Sequence, residues 1–217
     1  VFDSNSSLIF YHNMIEIVGN KKIDEFVTDY LHDKIISCDD DKIKNWKSLA
    51  RTEAKFNISS MAIRRESMTP WIDVISKINF AVDNFLFYVA LKEKGCIMID
   101  SEVLTKYRIT DKREYVENEN ELLDFIRYVA LKYYEDFSLF ANIFPDIPFN
   151  EGIKQGLLFW YLKYKFLSNE NKLSASLQME KFLNILIKNK ILLGLYLLSF
   201  LPFKVRERLI PRLLGIK

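Results

Sequence analysis

The clearest pattern in the sequence is a stretch of apolar residues at helical spacing in the middle of the chain. From Val82 to Ala90, apolar side chains recur at positions i, i+3, i+4, i+7 and i+8, which share one face of an α-helix. Gly95 follows, and glycine commonly ends a helix because it adopts the left-handed backbone conformation without strain. The pattern predicts a helix over residues 82 to 94.

The second half of the chain shows the same periodicity in longer segments. An amphipathic stripe runs through residues 122 to 133, residues 153 to 167 are apolar nearly all round, and residues 177 to 201 keep a helical period. We therefore expect residues 113 to 217 to form an α-helical appendage.

The first half also contains clusters of β-forming residues. Residues 7 to 12 and 14 to 18 precede Gly19 and Asn20, a typical hairpin turn, and predict a pair of strands. Two further runs, residues 96 to 99 and 103 to 109, predict short strands on either side of a polar break. The fold class predicted for residues 1 to 112 is α/β, and the whole chain is expected to be mostly helical.

More polar segments connect these runs. Residues 23 to 31 predict a short helix, and the run Asp39-Asp40-Asp41 predicts a surface loop. Ser59 and Ser60 stand where their hydroxyls can cap the N-terminus of a following helix. Pro70 either ends that helix or marks a turn.

Composition and charge narrow the function classes. With 217 residues, 49% hydrophobic residues and only 6 Gly and 5 Pro, the chain has enough apolar side chains for a packed core. Its net charge of +2 is too small for a protein that coats nucleic acid, so no nucleic-acid partner is expected.

The charge is unevenly distributed along the chain. Residues 181 to 217 contain eight Lys or Arg and one acid, a net charge of +7, and the same tail holds the most apolar stretch, residues 191 to 203. A basic segment joined to an apolar one favours an anionic membrane surface. The 13 apolar residues are too few to span a bilayer, which needs ~20. The alternative is a buried helix with solvated basic residues.

The sequence motifs give little support for a metal site, for redox chemistry or for a nucleotide-binding loop. Two cysteines, Cys38 and Cys96, are too few for a disulfide framework, and they are too far apart in sequence for a metal-binding knuckle. The simplest interpretation is that both thiols are reduced, as in the reducing interior of a cell. His12 and His32 lack the spacing of helical zinc ligands. The sequence contains no dinucleotide-binding, P-loop or hydrolase-elbow motif.

Four segments, in this order, carry a resemblance to a known family. They are LIFYHN at residues 8 to 13, ISSMAIRRE at 58 to 66, AVDNFL at 81 to 86 and VLTKYR at 103 to 108. Together they resemble the later part of family 2 glycosyltransferases of the GT-A fold, over about residues 1 to 111. The resemblance implies that the predicted α/β unit is a partial GT-A-like mixed sheet with helices, on the acceptor side of such a domain.

The implied reaction is transfer of a sugar from a nucleotide sugar to an acceptor hydroxyl, with inversion at the anomeric carbon. A hydroxyl is a poor nucleophile until a carboxylate takes its proton, and Asp83 matches the family's catalytic base. The alternative for Asp83 is a favourable position in the first turn of its helix, where the helix dipole stabilises an acid.

The same resemblance implies a set of substrate contacts. Ser59 and Ser60 match a pair of small residues near the acceptor and the sugar, and Asn84 adjoins the base. Tyr107 and Arg108 match a Tyr-Arg pair at the end of the last strand, from which the arginine can reach the diphosphate. The structural alternative for the two serines is that they cap a helix. The structural alternative for Tyr107 and Arg108 is that they form the end of a surface strand.

The chain departs from the family pattern at several points. Thr110 stands where family members often have His, and Val82 stands where a polar residue often precedes the base. Only six residues precede Ser7, where the matching region begins, so we expect the nucleotide-binding half to be missing. A divalent metal, Mg or Mn, is expected for the complete enzyme, with its main ligands absent from this chain. We do not assign that role to residues 39 to 41, because only Ile35 and Ile36 precede them as apolar residues.

The sequence therefore predicts a truncated or fragmentary inverting glycosyltransferase, active on a glycan or a lipid-linked acceptor. It is expected to be cytoplasmic and peripheral on the inner face of the cell membrane. A non-catalytic helical module that binds membranes or partners, or an inactive gene remnant, is the alternative.

Overall fold

The structure is a computed structural model that describes most of the first 168 residues and a few later positions. The described residues are 2, 6–18, 34–51, 58–108, 119–145, 148–168, 194, 196–198, 201, 205 and 209. The chain divides into two compact units, Val1–Arg113 with Asp146–Phe149 (unit 1) and Glu114–Pro145 with Asn150–Lys217 (unit 2). The fold is mixed α/β with a four-stranded mixed sheet, and it is mostly helical, which confirms this part of the predicted fold class.

The sheet of unit 1 has the strand order β2-β4-β1-β3. Its strands are β1 (Leu8–Val18), β2 (Ile35–Cys38), β3 (Met61–Ile63) and β4 (Cys96–Arg108). The central pair, β1 and β4, is parallel, and the outer strands β2 and β3 pair antiparallel with β4 and β1. The two long strands therefore form the spine of the sheet.

The strand pair predicted for residues 7 to 18 is wrong, because β1 is one continuous strand. Its partners, β3 and β4, are far away in sequence, and distant partners of this kind leave no local signal. The two short strands predicted after Gly95 are likewise one strand, β4, and the break at Asp100 is a register irregularity opposite Asn13 and Met14. The predicted turn at residues 19 and 20 lies outside the described residues.

The two cysteines form a disulfide that joins β2 to β4. Cys38 and Cys96 are directly opposite each other in the antiparallel register, and their sulfur atoms are bonded. The expectation of two reduced thiols is therefore wrong for this structure. The sequence does not reveal such a pair, because the two positions that the sheet brings face to face are 58 residues apart along the chain.

The described residues of unit 1 also form five α-helices. They are α1 (Asp39–Lys44), α2 (Trp46–Arg51), α3 (Arg65–Met68), α4 (Ile72–Ile75) and α5 (Val82–Lys92). The loop predicted at residues 39 to 41 is wrong, because these acids form the first turn of α1, where the helix dipole favours negative charge. The helix predicted directly after Ser60 is also wrong, because β3 comes first and is followed by the single turn of α3. Pro70 lies in the 3₁₀ turn that comes next, which confirms the turn predicted as the alternative for this residue.

Helix α5 confirms the strongest prediction from the sequence and is more buried than its one-sided pattern indicates. All residues from Asn84 to Leu91 are buried. On one side the ring of Phe87 meets that of Phe10 on β1 edge to face, at 6.2 Å. On another, Tyr88 stacks on Phe149 at 5.7 Å. The helix therefore lies between the sheet and other parts of unit 1.

Unit 2 contains the two long helices α6 (Glu119–Ile143) and α7 (Asn150–Leu167), as the periodicity predicts. They pack along each other through aromatic side chains, including the stacked rings of Tyr133 and Trp160, 4.3 Å apart. Gly156 permits this close approach, because a Cβ atom at its position would collide with the ring of Phe137. The helix predicted at residues 177 to 201 lies mostly outside the described residues.

A few positions of the basic, apolar tail are described. Leu198 packs against a buried cluster of unit 2 that includes Ala130 and Leu167, whereas Leu197 and Val205 are exposed. Among the residues that the structure describes, no helix combines the length and the apolar character that crossing a membrane requires.

Candidate functional site

The candidate site lies where, in the described part of the chain, the pairing of four strands gives way to the pairing of two. Strand β3 pairs with β1 only up to His12, and β2 pairs with β4 only up to Ile99. Among the described residues, β1 and β4 continue beyond Asn13 and Asp100 as a parallel pair, which we call the ribbon. We call this carboxyl-terminal end of the four-stranded region the site end. In open α/β sheets, ligands bind at the carboxyl ends of parallel strands.

The two serines lie at this end, in the turn that leads into β3. Ser59 is exposed, and Ser60 is buried with its Oγ atom 3.0 Å from Nε2 of His12 on β1. They form a short 3₁₀ turn with Ile58. The helix-cap alternative is wrong, since a strand follows and the described bond of the Ser60 hydroxyl is made to a side chain of the sheet.

Asp83 and Asn84 occupy the first turn of α5. Asp83 is half-buried, and its Oδ1 atom accepts hydrogen bonds from the backbone N–H of Asn84 at 2.8 Å and from Nδ2 of the same residue at 3.0 Å. These two bonds hold the carboxylate in one orientation at the start of the helix. Asn84 itself is buried, and its predicted contact with a substrate stays a prediction.

The connection between α5 and β4 brings Asp83 to the site end. Only three residues join the end of α5 to the start of β4, so the helix returns antiparallel to the strand. The ring of Phe87 lies at the level of Phe10, and the helix start lies about one turn further along the sheet. Asp83, Asn84, Ser59 and Ser60 are therefore at the same end of the sheet.

Tyr107 and Arg108 are further away along the ribbon. They are the last two residues of β4 and pair in register with Ile17 and Val18 of β1. Their backbones are described, and their side chains lie outside the described part of the structure. The strand end predicted for this pair is present, and its contact with a diphosphate stays a prediction.

A polar network that the sequence did not indicate borders the site end. The carboxylate of Asp100 forms an ion pair with Lys34 at 3.3 Å and accepts the backbone N–H of Glu102 at 3.2 Å. Burial and the carboxylates of Asp100 and Glu102 raise the pKa of Tyr11, which keeps this phenol protonated. Nearby, Nδ2 of Asn13 donates to the Thr105 hydroxyl at 2.9 Å. The network fixes the first residues of the ribbon.

The opposite end of the sheet carries a second polar junction. The carboxylate of Asp39 accepts the backbone N–H of Gly95 at 2.8 Å, and the ammonium of Lys42 donates to the carbonyls of Glu93 and Gly95. Burial lowers the pKa of Lys42 to about 8, partly offset by Asp39 and Glu93. This junction ties α1 to the turn between α5 and β4.

The acids near the start of α1 do not fit a divalent-metal site. Asp39 is engaged by the Gly95 backbone, and Asp41 is 3.9 Å from Lys44. Within the described part of the chain, no group of three or more His, Cys, Asp or Glu residues is arranged to hold a metal ion. The use of a metal by a complete enzyme stays a prediction.

Chemically, the site end offers a half-buried, oriented carboxylate and a buried serine–histidine pair. The carboxylate can take a proton from a hydroxyl, and an exposed serine next to the pair can hydrogen-bond a polar ligand. Comparisons with protein-family models, curated proteins and solved structures found no match to this chain.

Proposed function

We propose that this chain is the acceptor-side part of an inverting glycosyltransferase that uses a nucleotide sugar, with a partial GT-A-like fold. The observation that supports the proposal is the common position of Asp83, Ser59 and Ser60 at the site end. Three of the four sequence segments that resemble the family thus reach the same end of the sheet, and in open α/β sheets ligands bind at the carboxyl ends of the parallel strands.

In this proposal Asp83 is the general base. It takes the proton of the acceptor hydroxyl while the hydroxyl oxygen forms its bond to the anomeric carbon, and the nucleoside diphosphate leaves with the electron pair of the broken bond. Asn84 holds the carboxylate toward the acceptor through its two hydrogen bonds. Ser59, which is exposed, binds a polar group of the acceptor or the sugar.

Divalent metal would neutralise the leaving diphosphate in such enzymes, but the described residues do not fit a metal ion. We therefore derive no step through a metal. Arg108, by its position at the end of β4, is the cationic residue of this chain proposed to meet the diphosphate.

The experiment is a transfer assay with Asp83→Asn. The product of the longest reading frame that contains this chain is incubated with a panel of radiolabelled nucleotide sugars, Mn²⁺ and lipid or glycan acceptors. General-base assistance is typically worth ~10² to 10⁴ in rate, so turnover should fall by at least two orders of magnitude, with donor affinity nearly unchanged.

The matched control is Asp73→Asn, because Asp73 is an exposed acid in α4 of the same unit. Its turnover should equal that of the wild type. Equal turnover of the Asp83 and Asp73 variants would remove Asp83 from the mechanism, and absence of transfer from every donor by the wild-type protein would overturn the proposed function.

A further inference from the structure

Residues 34 to 50, which we call the edge segment, bury little apolar surface. The segment contains β2, α1 and most of α2, and β2 lies at the edge of the described sheet. Its buried side chains are those of Ser37, Lys42 and Leu49, of which only Leu49 is apolar. Residues 96 to 99 of the facing strand β4 are all buried. A segment with few buried apolar contacts opens locally at a lower free-energy cost than the core does.

The disulfide between Cys38 and Cys96 links the edge segment covalently to the core. It joins the last residue of β2 to the first residue of β4. Further contacts of the segment are polar: Lys34 is ion-paired with Asp100 just before β2 begins, and α1 is hydrogen-bonded to Gly95 in the turn before β4. The disulfide is the one covalent contact among them, so its reduction changes the hold on the segment most.

The surroundings of the two sulfur atoms favour attack at Cys38. Cys38 is partly exposed and Cys96 is buried, so a thiolate from solution reaches the sulfur of Cys38 first. Cys96 is then the leaving group. The Ser7 hydroxyl lies 3.4 Å from Sγ of Cys96 and can donate a hydrogen bond to the thiolate that forms there. A stabilised leaving thiolate speeds thiol–disulfide exchange.

We propose that the Cys38–Cys96 bond is a redox switch that controls whether the edge segment is docked on β4. One thiolate of a dithiol reductant attacks Cys38 and forms a mixed disulfide, while Cys96 leaves with the electron pair and takes up a proton. The second thiol of the reductant then displaces Cys38, which is protonated in turn. Two electrons and two protons thus reach the protein, and the reductant becomes a disulfide. Oxidation by a small disulfide reverses both steps.

Undocking also changes the polar network beside the site end. Lys34 is the first residue of the edge segment, and its ammonium neutralises the buried carboxylate of Asp100. When the segment leaves, Asp100 loses this partner and β4 loses the strand along its outer edge. The switch does not rest on the proposed function, because it concerns the conformation of unit 1 alone.

The test measures hydrogen–deuterium exchange of the full chain at neutral pH, before and after incubation with dithiothreitol. Maleimide labelling counts the free thiols in each sample. After reduction, residues 35 to 44 should exchange within about tenfold of the rate of an unfolded peptide, while α5 stays at least about a hundredfold slower. Replacing the reductant with glutathione disulfide should restore the protection of the segment.

The matched control combines Cys38→Ala with Cys96→Ala. It should show the undocked pattern without reductant and no response to it, and the reduced wild type provides the same measurement with no substitution. A native wild type from which dithiothreitol releases no thiols, or a reduced protein whose edge segment stays protected, would overturn the proposal. Equal loss of protection in α5 would also overturn it, because the disulfide would then stabilise unit 1 as a whole.

The direction of attack is tested with Ser7→Ala. This variant should be reduced several-fold more slowly than the wild type, because the leaving thiolate of Cys96 loses a hydrogen-bond donor. Ser59→Ala is the control, since Ser59 is another exposed serine of unit 1, and it should be reduced at the wild-type rate. Equal rates for the two variants would overturn the assignment of Cys96 as the leaving group.

Discussion

The Oγ atom of Ser60 lies 3.0 Å from Nε2 of His12, although 48 residues separate them in the chain. Both side chains are buried, and the contact joins the central strand β1 to the turn before β3. A buried polar contact of this kind costs more to break than it contributes when intact, because each group loses solvent on folding. The pair therefore has a measurable role in stability whatever its role in binding.

Replacing His12 by Leu should lower the free energy of unfolding by about 1–3 kcal/mol, since buried Ser60 loses one hydrogen-bonding partner. Urea denaturation measures the change. A double-mutant cycle with Ser60→Ala should give a coupling energy of about 0.5–1.5 kcal/mol. Ser59→Ala is the control, because Ser59 is exposed and should change stability little. Strictly additive effects of the His12 and Ser60 substitutions would contradict the prediction.

Gly95→Ala should destabilise unit 1 by about 1–3 kcal/mol. Gly95 has φ +121°, and a Cβ atom there would lie 2.6 Å from the backbone oxygen of Ser7 and 2.7 Å from Cγ2 of Ile9. The backbone at the start of β4 cannot move away to relieve this contact, because the N–H of Cys96 donates a hydrogen bond to the same Ser7 oxygen. Thermal unfolding measures the loss.

The control for this glycine is Gly194→Ala. Gly194 is helical, and a Cβ atom there would meet nothing within 4 Å. This variant should be neutral or slightly stabilising, because Ala has the higher helix propensity. An equal loss of stability in both variants would show that close approach at Gly95 is not the cause.

Lys42 should make the protein more stable as pH rises above about 8. The folded chain releases the Lys42 proton near its lowered pKa of about 8, whereas the unfolded chain keeps it up to the ordinary value of 10.5. Between these values the unfolded state binds more protons, so the free energy of unfolding rises with pH. In Lys42→Met this contribution should be absent.

At each pH, the free energy of unfolding of the Lys42→Met variant is compared with that of the wild type, because the tyrosines of both proteins also titrate at high pH. Lys44→Met serves as the control, because the Lys44 side chain is 73% exposed. Urea denaturation at several pH values below 10 provides the data. Parallel pH profiles for wild type and Lys42→Met would contradict the buried position of this ammonium.

Loss of the disulfide should destabilise unit 1. The bond closes a loop between residues 58 apart in sequence, and in the chain-entropy model such a loop corresponds to about 4 kcal/mol. Replacing both Cys38 and Cys96 by Ala should lower the melting temperature. Adding a dithiol reductant to the wild type should lower it to the same extent as this double substitution does. If the reductant changes the wild type and leaves the alanine variant unchanged, the effect belongs to this bond. An unchanged wild type would contradict it.

The helices were predictable because their signals are local. The periodicity from Val82 to Ala90 and the stop at Gly95 depend only on neighbours in the sequence, and α5 begins at the predicted residue. Helices α6 and α7 were predictable for the same reason.

The sheet was not predictable in the same way. Residues 35 to 38 form a strand only because β4 supplies their hydrogen bonds and Cys96 their covalent partner, and four residues alone carry no strand signal. Residues 61 to 63 likewise become β3 by pairing with β1 against a local pattern that favours a helix. In both segments, pairing with a distant strand and not the local sequence determines the secondary structure.

The candidate site was predictable in part. Asp83 lies in the first turn of α5 as expected. The bond between Ser60 and His12 was not predictable, because it joins two positions 48 residues apart and leaves no local signal. The burial of Lys42 was not predictable, because a lysine in an acidic, polar segment is normally exposed to solvent. It can be buried here because its ammonium donates to the carbonyls of residues 93 and 95.

The parallel pairing of β1 with β4 also governs the order in which the protein can be assembled. Asn13 and Thr105, bonded across this pair, are 92 residues apart. On the ribosome the apolar strand β1 is made first and must wait for β4 to be synthesised, whereas α6 and α7 are adjacent in sequence and pair soon after they are made. The sheet of unit 1 therefore forms only after β4 has been synthesised, and until then the apolar residues of β1 lack their parallel partner.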